Sequence, residues 1–524
     1  MTAADLFTPE LLARIGVVRQ DGNSKIPVVS LEYDSRAVMS GSLYFALPGL
    51  HADGHDFIKD AIANGATAIV CQNDIGARGG VFYLRVKDSR FAMSAVADAF
   101  YRLPSSRMAV VGVTGTEGKS TVVCLIFQLL RLAGKKAGFI STVQYSVDGM
   151  ERWNPEHQTT PEAPVIHRRL AEMLENGCAY AVLEASSHGL SPRTNRLGDV
   201  RFDAGVMTNV THEHLEFHGT WEQYRHDKAN LFRSLESNVK HSPFAPFGVV
   251  NADDPSADYF AACTKRRTYS YSARAGDANL AVTRLEAGAS GNVYDVYYKA
   301  GNRTFHIEDR LPGAFNAGNA LASLLCVSNM LETPVTEFLP LVPELKPVRG
   351  RMTAVRKGQP FEVLVDYAHT PSSFETIFPP LRERASGQGG RVISLFGSAG
   401  ERDTQKRALQ GRIAARYSDM IFLCDEDPRG EPPSAILEEI AEGALSERDC
   451  FPRGGFKRGA NLFLIPDRPK AIRAAFSKAA AGDLVLLLGK GHENSIIYSG
   501  YKIDYDEIAE AENALDELNQ SDGF

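Results

Sequence analysis

Short apolar runs alternate with longer amphipathic segments along most of this chain. Many of the runs end in glycine or a polar residue, which is typical of buried strands that stop at a sheet edge. Two of the intervening segments, residues 121–134 and 161–177, have the pattern of helices. Strands that alternate with helices predict an α/β fold with mostly parallel sheets, which bind ligands at the carboxyl ends of their strands. The predicted strands lie within residues 108–115, 180–187, 204–211, 247–254, 361–369, 391–400, 420–427, 461–467 and 484–491.

Two linkers rich in proline and basic residues, at 102–107 and 344–351, interrupt this alternation. The chain has 524 residues, which is too many for a single hydrophobic core. We therefore expect three α/β domains. They are a small N-terminal domain of residues 1–105, a central domain of residues 106–345 with a mostly parallel sheet, and a Rossmann-like C-terminal domain of residues 346–524.

Composition narrows the class of protein. Hydrophobic residues make up 44% of the chain and charged residues 23%, as in ordinary globular proteins. The net charge of −7 argues against general binding to nucleic acid or to a membrane surface. The seven cysteines form no CxxC pair, and no apolar run approaches the roughly 20 residues needed to span a bilayer. We expect a cytoplasmic protein with reduced thiols, without membrane insertion.

The segment "VVGVTGTEGKST", residues 110–121, carries the clearest chemical signal. It departs from the standard phosphate-binding loop, because Val113 stands where that loop has a glycine. A strand followed by a glycine-rich turn and a helix start still creates an anion site, since free backbone N–H groups and the helix dipole converge there. Lys119 would supply a positive charge for terminal phosphates, and Ser120 or Thr121 a hydroxyl for Mg²⁺. The segment predicts a variant ATP-binding loop.

The loop "GTEGKST" resembles that of the Mur ligases and the related folylpolyglutamate synthetases. Residues 33–70 are similar to the UDP-binding N-terminal domain of the Mur enzymes, and the resemblance covers nearly the whole chain. The combination of "DSR", "TTP" and "SSH" is similar to the MurE type, which adds an amino acid to UDP-N-acetylmuramoyl-L-alanyl-D-glutamate. Further motifs follow in family order: "TTP" (159–161), "EASSHGL" (184–190), "TNVTHEHLEFHGT" (208–220), "KANLF" (228–232), "NADDP" (251–255), "LPGAFNAGNALAS" (311–323), "RGRM" (349–352), "VDYAHTP" (365–371) and "GKGHE" (489–493).

The resemblance implies an ATP-dependent ligase of peptidoglycan precursor synthesis. In that family the acceptor carboxylate is phosphorylated to an acyl phosphate, the amine of a free amino acid attacks it, and phosphate leaves. Such chemistry needs positioning and charge neutralisation more than covalent help from the protein. The implied ATP contacts are Gly115, Thr116, Glu117, Gly118, Lys119, Ser120, Thr121, Asn316, Asn319, Arg351 and Asp366.

The resemblance also implies two Mg²⁺ ions. Ser120 and Glu184 resemble ligands of the ion held with ATP, and His214 resembles a ligand of the second. Lys228 matches the family lysine that CO₂ converts to a carbamate, N6-carboxylysine, whose carboxylate can hold Mg²⁺. On its own sequence context, by contrast, Lys228 is predicted to be an ordinary lysine on a helix surface. Lys119, Lys228 and His214 are the expected catalytic groups.

The sugar-nucleotide substrate, UDP-MurNAc-L-Ala-D-Glu, has several implied contacts. Ser35 in "DSR" resembles a contact to the UDP portion. Thr159 and Thr160 resemble hydroxyl donors to the muramoyl dipeptide, with Ser186 beside them. A family arginine follows the "SSH" segment, which is two residues longer in this chain. Counting back from Phe202 favours Arg196 over Arg193 as that arginine, and the choice stays open.

The C-terminal domain is expected to hold the incoming amino acid. Arg402, Gly489 and Glu493 match family positions that bind its carboxylate and α-amino ends. Enzymes that add meso-diaminopimelate usually read "DNPR" at the selecting segment, where this chain has Glu426, Asp427, Pro428 and Arg429. The added acidic residues favour an ω-ammonium, as on lysine or ornithine, unless they face solvent or pair with Arg429. We expect a basic diamino acid, with diaminopimelate still open.

Two other functions are compatible with parts of the sequence. A folylpolyglutamate-type or other amide ligase would share the loop and the carbamate, but the N-terminal "DSR…DGHDFI" segment opposes it. An inactive binding homologue would keep the fold, and the retained Lys119, Glu184, His214 and Lys228 oppose it. Assays with UDP-muramoyl dipeptide and with folate would separate the three. We expect the protein to act as a monomer.

Overall fold

The computed structural model describes residues 1–49, 52–74, 80–156, 158–211, 215–237, 244–274, 276–288, 291–452 and 454–522. The chain forms two compact units. The first comprises Met1–Ala281, Lys299–Gly301 and Asn319–Leu341, and the second comprises Val282–Tyr298, Asn302–Gly318 and Val342–Phe524. Among the described residues, no helix is both long and apolar enough to cross a membrane.

The first unit begins with a five-stranded sheet in the order β1-β5-β4-β3-β2. Only β1 runs antiparallel to its neighbour, β5. Strands β3 and β4 are buried on both faces, because helices cover them. The elements are α1 (Ala3–Leu6), α2 (Pro9–Arg14), β1 (Val17–Asp21), β2 (Ser30–Glu32), β3 (Ser42–Phe45), α3 (Ile58–Ala63), β4 (Ala68–Cys71), β5 (Phe82–Val86) and α4 (Ser89–Phe100).

A second, larger sheet of the first unit runs in the order β13-β12-β11-β6-β10-β7-β8-β9. Its strands are parallel from β13 to β7, and β8 and β9 add an antiparallel edge. The elements are β6 (Ala109–Thr114), α5 (Lys119–Leu132), β7 (Ala137–Ile140), β8 (Gln144–Ser146), β9 (Arg152–Trp153), α6 (Ala163–Glu175), β10 (Tyr180–Glu184), α7 (Ser187–Leu190), β11 (Ala204–Met207), α8 (Leu215–His218), α9 (Trp221–Ser234), β12 (Phe247–Asn251), α10 (Ala257–Ala262) and β13 (Arg267–Ser272).

Three further strands of the same hydrogen-bonded sheet and one helix follow β13 along the chain. The strand β14 (Leu280–Ala287) starts beside β13, where Leu280 pairs with Tyr271. The strands β15 (Asn292–Tyr298) and β16 (Arg303–Glu308) form an antiparallel hairpin. The helix α11 (Phe315–Met330) comes next and carries Asn316 and Asn319, both of which are buried.

The second unit contains a six-stranded sheet in the order β17-β18-β22-β19-β20-β21. All its pairings are parallel except that of β17 with β18. The elements are β17 (Thr353–Val355), β18 (Glu362–Asp366), α12 (Pro371–Gly387), β19 (Val392–Phe396), α13 (Gln405–Tyr417), β20 (Met420–Leu423), α14 (Pro433–Ser446), β21 (Leu462–Leu464), α15 (Arg468–Lys478), β22 (Leu484–Leu488), the hairpin β23 (Ser495–Tyr498) and β24 (Tyr501–Asp504), and α16 (Glu507–Asp522).

The predicted alternation of buried strands and helices is confirmed. Each of the apolar runs predicted as strands contains one, and all but the short edge strand β21 lie within the interior of their sheet. The helix expected at 121–134 begins slightly earlier, at Lys119, because Gly118 adopts a left-handed conformation (φ 82°) that starts it. The fold is α/β with mostly parallel sheets. The division into three domains at residues 105 and 345 stays a prediction.

The packing of α9 against β6 leaves no room for a side chain at Gly112. A Cβ atom there would lie 2.5 Å from Leu231 Cδ1 and 2.9 Å from Phe202 Cε1. We expect Gly112→Ala to destabilise the protein by about 1–3 kcal/mol through overpacking. Thermal unfolding should therefore begin at a lower temperature. The control is Gly387→Ala, since a Cβ at Gly387 meets nothing within 4 Å. Equal melting curves for the two variants would contradict this packing.

Candidate active site

The glycine-rich loop between β6 and α5 is shaped by close backbone approaches. A Cβ at Gly115 would lie 1.8 Å from Thr208 Oγ1, and one at Gly118 would lie 2.8 Å from Asn319 Oδ1. The loop is held from β11, because Thr208 Oγ1 donates to the Glu117 carbonyl and Asn209 Oδ1 accepts from the Glu117 N–H. The loop is thus a preformed turn whose next residues enter a helix, as an anion site requires.

Lys119 and Thr116 complete the loop. The Lys119 ammonium donates to the Thr116 carbonyl at 2.7 Å, so the charge lies over the turn that it was expected to serve. The Thr116 hydroxyl lies 3.0 Å from the Tyr224 hydroxyl on α9. Thr121 is buried in the first turn of α5. The ammonium of Lys119 and the first turn of α5 therefore both lie beside the glycine-rich turn.

Ser120 and Glu184 meet at the carboxyl edge of the sheet. The parallel register sets Glu184, the last residue of β10, opposite Val113 of β6. The Ser120 hydroxyl donates to Glu184 Oε2 at 2.8 Å, and the Thr142 N–H donates to the same oxygen at 2.8 Å. Both side chains are buried. A hydroxyl and a carboxylate form an oxygen donor set of the kind that Mg²⁺ prefers, so these two residues fit the ion.

Lys228 is buried, and the prediction of a surface lysine is wrong. Only 2% of the residue is exposed, and its amine donates to the carbonyl of Gly115 in the loop. The amine also lies 4.4 Å from the centre of the Tyr224 ring, one turn earlier on α9. The packing of α9 onto the loop, 113 residues earlier in the chain, buries this amine. Lys228 therefore belongs to the same site as Lys119 and Ser120. His214 lies outside the described residues.

The residues expected to bind the muramoyl dipeptide form one hydrogen-bonded group. The Thr160 hydroxyl donates to the carbonyl of Glu184 at 2.9 Å, and Ser186 donates to the Thr160 hydroxyl at 2.9 Å. Arg196 donates to the Thr160 carbonyl at 3.0 Å and pairs with Glu162 at 3.0 Å. Because Thr160 is buried and committed to protein partners, it positions its neighbours. Thr159, beside it, is partly exposed.

The side chain of Arg193 contacts different residues from that of Arg196. Its guanidinium donates to the Phe217 carbonyl and lies 4.6 Å from the centre of the Phe217 ring. Of the two arginines left open by the sequence, only Arg196 is hydrogen-bonded to the Thr160 segment in the described part of the chain. Ser35 lies apart in the N-terminal sheet region, in a short helical turn where its carbonyl accepts from Asn64.

Two nucleotide residues expected in the second unit, Asp366 and Arg351, lie close together at the end of β18. The Asp366 carboxylate accepts from the N–H groups of Met352 and Ala368, both at 2.7 Å. Burial raises the pKa of Asp366, and the nearby Arg351 opposes that shift. The Arg351 guanidinium lies 4.6 Å from the centre of the Tyr367 ring. Asn316 donates to the Pro312 carbonyl at 2.6 Å.

The amino-acid segment contains buried charges that largely compensate one another. Lys490, with a fully buried side chain, donates to Asp427 Oδ1 at 2.9 Å and to Glu493 Oε2 at 2.5 Å. Burial opposes its charge, but the two carboxylates outweigh burial and raise the pKa of Lys490. Asp427 also accepts from the Ile497 N–H at 3.0 Å. Asp427 therefore neither faces solvent nor needs Arg429 as a partner.

Asp425 and Glu426 are not paired with Lys490, in contrast to Asp427. Asp425 accepts from the Tyr498 hydroxyl at 3.0 Å, and burial raises its pKa to about 6. Glu426 is also buried, and its Oε2 has no hydrogen-bond partner among the described residues. This oxygen lies 2.9 Å from the position of a Cβ at Gly489, whose φ is 100°. Glu426 therefore presents an uncompensated acceptor beside the "GKGHE" segment.

A groove of about 450 Å³ opens beside Arg429. Arg429 has a φ of 55° and is held by its N–H, which donates to the Ile497 carbonyl at 2.9 Å. Arg402 is exposed, and Pro428 is buried. The groove is lined by Glu401, Arg429, Gly430, Ile497, Tyr498, Ser499 and Gly500.

Sequence reasoning missed three residues that organise these groups. Glu162 holds the guanidinium of Arg196, and Lys490 joins Asp427 to Glu493. Tyr367 donates to Glu493 Oε1 at 3.3 Å while Arg351 lies over its ring. Each follows or lies inside a quoted motif, and a polar or charged side chain within two residues of a predicted ligand is the one signal that could have found them.

Matches to known proteins cover nearly the whole chain. Residues 27–101 match the model of the Mur ligase family catalytic domain, 113–327 the Mur ligase middle domain and 350–491 the Mur ligase glutamate ligase domain. The UDP-N-acetylmuramyl-tripeptide synthetase of Treponema denticola is 50% identical over 97% of both chains. The UDP-N-acetylmuramoyl-L-alanyl-D-glutamate–2,6-diaminopimelate ligase of Geobacillus kaustophilus is 37% identical over 95% of this chain and 97% of the relative.

Solved structures agree with these matches. A structure of a UDP-N-acetylmuramoyl-L-alanyl-D-glutamate–2,6-diaminopimelate ligase has a TM-score of 0.63 at 26% identity, covering 99% of this chain and 100% of that one. The MurF ligase of Thermotoga maritima, solved in complex with ADP, has a TM-score of 0.61 at 19% identity, covering 94% of this chain and 98% of that one, and shares the fold. From the extent and identity of these matches, the chain belongs to the Mur ligase family.

Proposed function

We propose that this protein is the ATP-dependent ligase that adds the third amino acid to UDP-N-acetylmuramoyl-L-alanyl-D-glutamate in peptidoglycan precursor synthesis. The observation that carries the proposal is the meeting of Lys119, Ser120, Glu184 and Lys228 around one loop. That loop occurs in a chain related over nearly its full length to tripeptide synthetases. The match of residues 27–101 to a Mur ligase domain opposes a folylpolyglutamate ligase. We propose a monomer.

The loop suits phosphoryl transfer from ATP to a carboxylate. Lys119 and the N-terminus of α5 would hold the phosphates, and Ser120 and Glu184 would hold Mg²⁺. When bound, Mg²⁺ would neutralise charge on the transferring phosphoryl group. The acceptor carboxylate oxygen attacks the γ-phosphorus and ADP leaves. The amine of the amino acid then attacks the acyl carbon, loses a proton, and inorganic phosphate leaves with the acceptor oxygen. Asn316, Asn319, Arg351 and Asp366 are proposed as further ATP contacts, and His214 as a ligand of a second Mg²⁺.

Lys228 is proposed to carry a carbamate. A neutral lysine amine adds CO₂ and loses a proton, giving a carboxylate that could serve a cation at the loop. Its position supports this, because the amine reaches the carbonyl of Gly115 in the loop that carries Lys119 and Ser120. The carbamate nitrogen keeps one N–H, so the hydrogen bond to the Gly115 carbonyl could persist after modification.

The muramoyl dipeptide is proposed to lie against the Thr160 segment. Arg196 would be the arginine that meets its carboxylate, with Thr159 and Ser186 nearby and Ser35 at the UDP end. Glu162 and the Thr160 carbonyl support this role, because they hold the guanidinium of Arg196 in one orientation. Arg193 is occupied with Phe217.

The amino acid is proposed to be a diamino acid bound by the second unit. Arg402, Arg429, Gly489 and Glu493 would hold its ends. Glu426 is the best candidate to accept the ω-ammonium, because its buried Oε2 has no partner among the described residues and lies beside Gly489. Asp425 also has one oxygen without such a partner, but its other oxygen already accepts from Tyr498. Asp427 is a weaker candidate, since Lys490 already compensates its charge. Lysine, ornithine and meso-diaminopimelate all carry the required ω-ammonium.

The loop lysine is the first group to test. Lys119→Ala should lower kcat for ligation by about 10²- to 10³-fold, because it removes one preorganised positive charge from the transferring phosphoryl group. The control is Lys135→Ala, which changes an exposed lysine beyond the end of α5. Release of ADP and formation of the tripeptide are measured together. Unchanged turnover in Lys119→Ala would exclude the proposed loop chemistry.

The carbamate predicts chemical rescue. Lys228→Ala should be nearly inactive, and short carboxylic acids should restore part of the rate by replacing the lost carboxylate. In the wild-type protein, ¹³CO₂ should give a carbamate carbon resonance that Lys228→Ala lacks. Full activity of Lys228→Ala without additives, or the same resonance in that variant, would rule the carbamate out.

Amino-acid selection is tested by parallel ligation assays with L-lysine, L-ornithine and meso-diaminopimelate. At least one should be preferred over neutral and acidic amino acids. Glu426→Gln should raise KM for the preferred diamino acid about tenfold or more, because a hydrogen bond to a charged group contributes about 1.5–3 kcal/mol. Glu438→Gln is the matched control, since Glu438 pairs with Arg458 at the surface. Preference for a neutral or acidic amino acid over all three would overturn the substrate class.

A further inference from the structure

We propose that Arg468 is a positioning residue that fixes the two amino-acid-binding segments, "DEDPR" (425–429) and "GKGHE" (489–493), relative to each other. The inference rests on the proposed function, since it takes these two segments as the ones that hold the amino acid. Arg468 is the first residue of α15 and is outside both segments. It would act through the main chain and not by touching the substrate.

The guanidinium of Arg468 is held by several hydrogen bonds to one buried carboxylate. Its Nε donates to Glu507 Oε2 at 2.8 Å, and one terminal nitrogen donates to Glu507 Oε1 at 2.7 Å. Both side chains are completely buried. The Tyr505 hydroxyl donates to the same carboxylate at 2.6 Å. A bidentate pair that is also hydrogen-bonded on its outer side holds the guanidinium in one plane.

The same guanidinium reaches the main chain of both segments. One terminal nitrogen donates to the Leu488 carbonyl at 2.7 Å, and the other donates to the Asp425 carbonyl at 3.2 Å. Gly489 follows Leu488 directly, and Glu426 follows Asp425 directly. Each of these carbonyls therefore belongs to a peptide unit that leads into a proposed amino-acid contact. One peptide unit leads into Gly489 of "GKGHE", and the other leads into Glu426, the proposed acceptor in "DEDPR".

The two segments also meet above Arg468. Glu426 Oε2 lies close to Gly489, and Lys490 joins Asp427 to Glu493. Lys490 ties side chains, which can change rotamer, whereas Arg468 ties two backbone carbonyls. Lysine cannot replace Arg468, because an ammonium cannot bind one carboxylate in bidentate fashion while also reaching both carbonyls. Loss of the guanidinium would leave both segments free to shift.

The expected consequence is a selective loss of amino-acid binding. Contacts displaced by about 1 Å can cost about 10²-fold in rate. Arg468→Lys should raise KM for the preferred diamino acid at least about tenfold, while KM for ATP and for the UDP-muramoyl dipeptide changes less than about twofold. Because both segments would lose the same anchor, KM for all diamino acids that the wild-type protein accepts should rise.

The same helix provides the control. Arg473 on α15 also pairs with α16, through Glu510 at 2.5 Å and Glu517 at 2.7 Å, but none of its hydrogen bonds to described residues reaches either amino-acid segment. Arg473→Lys weakens the junction of α15 with α16 without touching either segment. It should lower the melting temperature at most slightly and leave all three KM values unchanged.

The experiment measures the three KM values and kcat for the full-length wild-type protein, Arg468→Lys, Arg473→Lys and the milder Tyr505→Phe. Tyr505→Phe keeps the ion pair and removes one hydrogen bond to Glu507, so it should raise the amino-acid KM by a smaller factor. It tests the proposal even where Arg468→Lys does not fold. An unchanged amino-acid KM in a folded Arg468→Lys, or in Tyr505→Phe when Arg468→Lys is unfolded, would overturn the proposal. So would an equal rise of all three KM values. Absence of diamino-acid ligation by the wild-type protein would instead contradict the proposed function.

Discussion

The parallel pairing of β6 with β10 is the constraint on which the nucleotide site depends. It sets Glu184 opposite Val113, at the start of the glycine-rich loop, so that the Ser120 hydroxyl reaches its carboxylate. From the Glu184 carbonyl, hydrogen bonds continue through Thr160 to Arg196. A shift of this register would separate the proposed Mg²⁺ ligands from each other and from the proposed dipeptide contacts.

In the second unit, several charged side chains are buried beside a groove. Lys490 compensates Asp427 and Glu493, and Arg468 compensates Glu507. Breaking such buried pairs by removing one partner is costly, because the remaining charge stays desolvated. Asp427 and Glu493 are thus already paired, whereas Glu426 and Asp425 each keep one buried oxygen without a hydrogen-bond partner among the described residues. The proposed selection of an ω-ammonium therefore depends on which carboxylates lack a cationic partner in the protein. The total number of carboxylates in the segment matters less.

The features that depend on neighbouring residues in the chain could be predicted from the sequence. The features that depend on packing between distant segments could not. The strand, loop and helix around Lys119 follow from residues adjacent in the chain, and they were predicted nearly to the residue. The burial of Lys228 could not be predicted, because α9 reads as polar and the loop that covers the amine lies far away in sequence. Arg193 and Arg196 have the same local context, and only the fold directs one to Phe217 and the other to Thr160. The role of Lys490 likewise depends on a second segment, at Asp427.

The central claim is that the loop at Lys119 activates a carboxylate by phosphorylating it. It is tested most directly by ligation with a UDP-muramoyl dipeptide whose acceptor carboxylate carries ¹⁸O, followed by mass spectrometry of the phosphate. Acyl-phosphate chemistry transfers one acceptor oxygen to the phosphorus, so the account predicts inorganic phosphate that contains one ¹⁸O for each peptide bond formed. Phosphate without the label, released in step with peptide formation, would contradict it.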